Sequence, residues 1–273
     1  MTGRIDAFNH QAMSTWWQVR VSGQDATYAA QASQAAFAVT DRTERLMSRF
    51  RDDSEISAIA SLPPGGRRRL PREVFDCLRI SEDLHRITGG AFDVRARAGS
   101  GVPPVPDWRL DEGSLEIVIG ASPCRLDLGA IAKGFALELM AEELRDWGID
   151  SFLLMSSGSS ILAGDPPHGQ AGWNVRMGEA MEVLLARGAM GTSGEDMRGN
   201  HIVDPATGVA SARHRRAWAI AGNAAEADAF STACMNMDPG GIAACCRERS
   251  DIGAVILDRG GAIHRTGRLP PRV

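Results

Sequence analysis

The chain has 273 residues, 44% of them hydrophobic, enough to bury one large core or two smaller ones as a globular protein. A formal net charge of −4 and a pI near 5.9 give no electrostatic footprint for nucleic acid, and no apolar run reaches membrane-spanning length. The five cysteines, at 77, 124, 234, 245 and 246, are odd in number and lack metal-ligand spacing, which argues against a disulfide framework and a zinc site and predicts buried free thiols.

Met1 to His10 shows no apolar core, cleavage site or lipidation cysteine. As written, the chain is expected in the cytoplasm, and in the periplasm if its start has been trimmed. Ser14 to Val21 alternates polar and apolar residues around Trp16 and Trp17, as a half-buried strand does. An alanine-rich helix is expected from Asp25 to Met47, and Arg51-Asp52-Asp53-Ser54 breaks it. Leu62-Pro63-Pro64-Gly65-Gly66 is a turn, and Pro71 opens a second helix, with Glu73 in its first turn, that stops at Gly89-Gly90.

The stretch from Arg95 to Glu112, mainly Arg, Gly, Pro and Asp, reads as a loop, and Leu115 to Ile119 and Arg125 to Leu128 read as strands. A helix from Ala130 to Trp147 ends at Gly148, a C-terminal cap. Further strands are expected at Ser151 to Met155, Trp173 to Met177, Met181 to Leu185, Trp218 to Ala221 and Ile252 to Leu257, with helices from Glu226 to Met237 and Pro239 to Arg247 among them. The arginine clusters Arg67-Arg68-Arg69 and Arg213, Arg215 and Arg216 read as solvated loops. Strands outnumber helices without alternating regularly with them, which predicts an α+β fold of mixed sheets with packed helices. The whole chain, 1–273, reads as one unit, with two intimately packed subdomains as the alternative.

Thirty residues are basic and only one, Lys133, is lysine, leaving 29 arginines. A lysine carries a compact charge on a flexible stem, so a lone one suggests a place where a point charge must enter a tight space, and equally reads as a chance survivor on a helix surface. It follows Asp127, Gly129 and Ala130 at a helix entrance suited to an anion. Asp228 and Thr232 stand four apart, with Ser231 three from the aspartate, so on a helix they share one face. Such oxygens are hard ligands of the kind Mg²⁺ takes beside phosphate and water, although a capping threonine with a surface aspartate shows the same spacing. His201, in Asn200 to Gly208, has the titration range of a general base and equally that of a packed or exposed histidine. Gly191-Thr192-Ser193-Gly194 offers small residues and hydroxyls that let a phosphate or ring approach closely.

Seven stretches in order resemble the ApbE family, the FAD:protein FMN transferases: Met13 to Trp16, Ser48 to Glu55, Gly89 to Asp93, Asp127 to Phe135, Gly191 to Gly194, His201 to Gly208, and Ala227 to Thr232. The resemblance implies an ApbE-like, T-fold-like architecture and Mg²⁺-dependent transfer of the FMN moiety of FAD to a serine or threonine hydroxyl of an acceptor flavoprotein, releasing AMP. It also implies site roles. Met13, Phe50, Ala91, Phe92, Asp93, Asp127, Lys133 and Ile202 would contact FAD. Asp228 and Thr232, with Ser231 nearby and the backbone oxygen of Ala130, would hold the metal, and His201 would take the proton of the attacking hydroxyl. FAD hydrolysis to FMN and AMP, and FAD binding without chemistry, are the neighbouring activities the resemblance leaves open. The chain departs from the usual family pattern at Arg95 and at Gly158-Ser159-Ser160.

Overall fold

A computed structural model describes residues 4–95, 107–122, 124–178, 181–194 and 202–273. Strands β1 (Ile5–Ala12) and β2 (Thr15–Ser22) form a hairpin that leads into α1 (Ala26–Met47). Asp25 starts that helix by accepting the backbone N–H groups of Thr27 and Tyr28, two donors that would otherwise lack partners. After the break at Arg51 to Ser54 comes a short helix the pattern did not show, α2 (Glu55–Ala60), capped by Ser54. Then follow β3 (Arg67–Arg69), α3 (Arg72–Ile87), β4 (Trp108–Asp111), β5 (Glu116–Ile119), α4 (Ala132–Asp146), β6 (Phe152–Ser156) and β7 (Ser160–Ala163). The chain continues through β8 (Trp173–Met177), β9 (Met181–Leu185), β10 (Gly188–Gly194), β11 (His214–Ala221), α5 (Ala224–Asn236), α6 (Pro239–Glu248), β12 (Gly253–Asp258) and β13 (Ile263–Gly267).

Eight strands form one sheet in the order β1-β2-β6-β7-β10-β11-β12-β13, antiparallel at every pairing. Alternation along each strand sends side chains to opposite faces. On one face Phe152, Leu154, Ala189, Ala217, Ala219 and Ala254 meet α1, α4 and α5. On the other, Leu153, Met190, Trp218, Ile220 and Val255 are covered by the β8–β9 hairpin through Trp173, Val175, Met177, Val183 and Leu185. A three-stranded sheet, β3-β5-β4, is not hydrogen-bonded to the large one but shares its core through Trp108, Ile117 and Ile119.

Three expectations are corrected. Arg125 to Leu128 is not a strand: Cys124, Leu126 and Leu128 are buried in alternation, but among the described residues the segment has no ladder partner beyond the bond from Asp127 N–H to the Val94 carbonyl. Alternating burial is necessary for a strand and not sufficient. Arg67–Arg69 is an edge strand rather than a solvated loop, and Arg215 and Arg216 lie inside β11, because backbone pairing is indifferent to side chains that point outward. The stretch read as a loop from Arg95 to Glu112 contains β4.

Candidate active site

Helix α5 reaches the site through small residues on both sides. Its first turn runs against Gly134 of α4, where an added Cβ would lie 2.1 Å from the Ala224 carbonyl oxygen. Its next turn runs against Gly191 of β10, where a Cβ would lie 2.1 Å from the Ala227 oxygen and 2.6 Å from the Asp228 nitrogen. Only glycine allows backbones that close. A further tie comes from Glu138 of α4, whose carboxylate accepts the Ala224 N–H and whose pKa is pushed up by burial. α5 is therefore clamped between α4 and the sheet, and Asp228 projects beside the start of α4.

Asp228 is 3% exposed. Its Oδ1 accepts from Ser160 Oγ at 2.9 Å, and its Oδ2 accepts from Gly134 N–H at 3.1 Å and from Lys133 Nζ at 3.4 Å. A buried carboxylate requires such partners. The Gly134 bond makes Asp228 a cap supplied by another helix, since Ile131 at the start of α4 provides no side-chain cap. Lys133 Nζ also donates to the Gly129 carbonyl at 3.1 Å.

Beside this cluster is a cleft of about 480 Å³. Lys133, Asp228, Thr232, Ala130, Ser193 and Thr192 form its polar end, and Phe50, Ala91, Phe92, Ile202, Val203 and Pro205 its apolar lining. Three carboxylates of the wall each have a cation: Asp127 pairs with Arg49 at 2.8 Å, Asp93 with Arg95 at 2.6 Å, and Asp228 with Lys133. Arg95 grips Asp93 with its backbone N–H as well as its guanidinium, and His85 Nδ1 is 3.7 Å from the same carboxylate. The Arg49 guanidinium lies 4.1 Å from the ring centre of Phe50, which is 81% exposed at the mouth. Asn236, at the end of α5, donates to the Ala91 and Val203 carbonyls and so joins two walls.

Ten of the residues singled out in the sequence line this cleft: Phe50, Ala91, Phe92, Asp93, Asp127, Ala130, Lys133, Ile202, Asp228 and Thr232. Ser231 is fully buried one layer behind, in contact with Ser193. Met13 sits in the β1–β2 turn, where it and Ser14 adopt φ of 51° and 56°, and its N–H donates to Glu44 Oε2; it is partly buried against the core and is not among the described lining residues. His201 lies outside the described residues. Arg49, Ser160, Ser193 and Asn236 were not singled out individually, because an arginine beside an aromatic, a strand serine and a helix-end asparagine carry no spacing signal. Ser193 had a clue in its place in a run of small hydroxyl residues, Arg49 lay in the matching stretch Ser48 to Glu55, and Ser160 stood out only as a departure from the family pattern.

The donor set suits a hard cation that keeps open positions: one carboxylate, one threonine hydroxyl and nearby backbone oxygen, with no gathering of three His, Cys, Asp or Glu side chains among the described residues. Cys77 offers no competing thiolate, since burial first, and then the charge of Asp228, hold its thiol far above the usual range.

Fold and cleft together define an α+β protein with a pocket beside the start of α4 that combines charged, hydroxyl and apolar side chains. The chain belongs to the ApbE family, whose pattern matches residues 13–100 and 104–256. It is 26% identical to the FAD:protein FMN transferase of Treponema pallidum (strain Nichols) over 298 aligned positions, covering 90% of this chain and 82% of that protein. Among solved structures it resembles the apo flavinyl transferase ApbE of Pseudomonas stutzeri, with a TM-score of 0.83 at 23% identity, covering 97% of this chain and 96% of the other. The ApbE protein of Thermotoga maritima superposes with a TM-score of 0.83 at 20% identity, covering 96% and 97% of the two chains. These likenesses establish the α+β fold.

Proposed function

We propose that this chain transfers the FMN moiety of FAD to a serine or threonine hydroxyl of an acceptor flavoprotein, releasing AMP, with Mg²⁺ as cofactor. The observation that carries the reading is the meeting of Asp228, Thr232 and Lys133 in a cleft that is also lined by Phe50, Ala91, Phe92, Ile202, Val203 and Pro205. The name of the Treponema relative points the same way.

Phe50, Phe92 and Ile202 provide the surface on which the isoalloxazine would rest, and Lys133 brings a positive charge to the pyrophosphate. Asp228, Thr232 and the Ala130 carbonyl would hold Mg²⁺, which when bound would neutralise charge on the transferring phosphoryl group. The hydroxyl oxygen of the acceptor bonds to the phosphorus of the FMN half, the phosphoanhydride bond to AMP breaks, and AMP leaves with its electron pair. His201 takes the proton of the hydroxyl. Such a reaction depends mainly on positioning and electrostatics.

The test is incubation with FAD and Mg²⁺, with and without an acceptor domain, following AMP release and flavin fluorescence on the denatured acceptor. AMP with a fluorescent acceptor supports the reading; AMP without it indicates FAD hydrolysis, and bound FAD without AMP a binding protein. Asp228→Asn should lower transfer about a hundredfold or more, as expected when a charge-stabilising group is lost. His201→Asn should slow it by a similar order if His201 is the base.

A further inference from the structure

The hydroxyl groups of Thr232 and Ser193 in the cleft wall and of Ser231 behind it form a chain whose direction can be worked out by counting protons. A serine or threonine hydroxyl has one proton to give and two lone pairs with which to accept. Ser231 Oγ lies 2.7 Å from the backbone oxygen of Asp228, which only accepts, so the Ser231 proton is committed there. Ser193 Oγ lies 2.8 Å from Ser231 Oγ and 3.1 Å from Thr232 Oγ1. With the proton of Ser231 spent, Ser193 must donate to Ser231. With its own proton spent in turn, Ser193 can only accept from Thr232. The order is Thr232 to Ser193 to Ser231 to the Asp228 carbonyl, so each of the three protons is engaged by a protein oxygen.

We infer that Ser193 of β10 is a positioning residue that orients the Thr232 hydroxyl, engaging its proton so that the oxygen lone pairs are left as a ligand for a divalent cation in the cleft. This rests on the cation site proposed above. An isolated threonine hydroxyl can turn its proton toward the cleft, where it would repel a cation, whereas this one is held as an acceptor before any ion arrives. The arrangement depends on the fold. Ser193 is nearly buried on a strand, Ser231 and Thr232 are consecutive residues of α5, and the close approach at Gly191 two residues earlier brings the strand and the helix within hydrogen-bonding range. The same direction serves Asp228. Ser159 gives its proton to the Ser156 carbonyl and Ser160 gives its own to Asp228 Oδ1, so each of these hydroxyls also has a set orientation.

The test measures Mn²⁺ affinity of the full chain at saturating FAD by the loss of the free-ion electron paramagnetic resonance signal, independently of turnover. Ser193→Ala should weaken Mn²⁺ binding about tenfold or more, the scale of a lost partner behind a metal ligand. Ser193→Thr, which keeps the hydroxyl, should restore it. Ser193→Cys, close to serine in size and a poor acceptor, should behave as alanine does and decides the matter if the alanine variant does not fold. Thr232→Val should weaken binding, and adding Ser193→Ala to it should cost nothing more, since Ser193 acts through Thr232. Unchanged affinity in Ser193→Ala and Ser193→Cys, or losses that multiply in the double variant, overturns the inference and leaves the cation site standing. If Asp228→Asn leaves Mn²⁺ affinity unchanged, the cation site itself is wrong and this inference falls with it.

Discussion

Where α5 crosses the eight-stranded sheet, its two faces are packed by opposite means, although Phe152 and Leu154 of β6 also face the helices. Toward the helices the central strands present Ala189, Gly191, Ala217, Ala219 and Ala254, and toward the β8–β9 hairpin they present Met190, Trp218, Ile220 and Val255. Large side chains exclude water well but hold the neighbouring layer at a distance. Small ones bury less area per residue and let a helix backbone come within touching distance of the sheet. The face that must place functional atoms to within a fraction of an ångström uses the small residues, and the face that only needs covering uses the large ones.

The sharpest way to break this comparison is Gly191→Ala. The new methyl would overlap the backbone of α5 at Ala227 and Asp228, where no side chain can swing aside. A loss of about 3 kcal/mol in urea unfolding is expected, with flavin transfer lost as well. Leu185→Ala on the hairpin side should cost about 2 to 4 kcal/mol through the cavity it leaves, yet FAD affinity measured well below the unfolding transition should not change. An equal loss of affinity there would mean that the two faces are not separable.

Phe50→Ala gives the reverse pattern. Stability should stay within about 0.5 kcal/mol, because the ring is exposed, while FAD affinity should fall by about 1 kcal/mol, read by fluorescence titration. The smallest effect expected is on pH dependence. His214, at the start of β11, has Nε2 2.8 Å from the Met237 carbonyl just past the end of α5, and burial pushes its pKa below the ordinary value. As pH falls below about 6.5 the unfolded chain takes up this proton before the folded one does, so the contribution of His214 to stability is lost on acidification. His214→Gln should flatten the fall in unfolding midpoint below that pH.

The sequence made the strongly patterned elements legible. The β8 and β9 strands fall on the expected residues, and α1, α3, α4, α5 and α6 begin and end within two residues of expectation. β10 stayed hidden, because Gly-Ala-Met-Gly-Thr-Ser-Gly has almost none of the branched and aromatic residues that mark strands. It is a strand because a helix must come close to it, a tertiary requirement that no local pattern expresses. β7, buried on both faces, and the edge strands β1 and β13 escaped for the lack of a signal separating them from loop or core. In the site, the lone lysine and the i, i+4 pair Asp228 and Thr232 were legible because spacing on a helix carries over into space. Their partners Ser160 and Ser193 were not, because each comes from a different strand and meets Asp228 or Thr232 only after the sheet has formed.

All five cysteines are buried thiols outside any disulfide. Burial raises the thiol pKa of Cys77, Cys234 and Cys245, and that of Cys246 to about 11, so in the closed molecule thiolate is scarce at neutral pH. An alkylating reagent therefore has to wait for the structure to open. Cys77 on α3, Cys234 on α5, and Cys245 and Cys246 on α6 occupy three different helices, so the order in which they are labelled would record which helix leaves the core first. The chain thus contains its own set of clocks for local opening, needing no engineered probe.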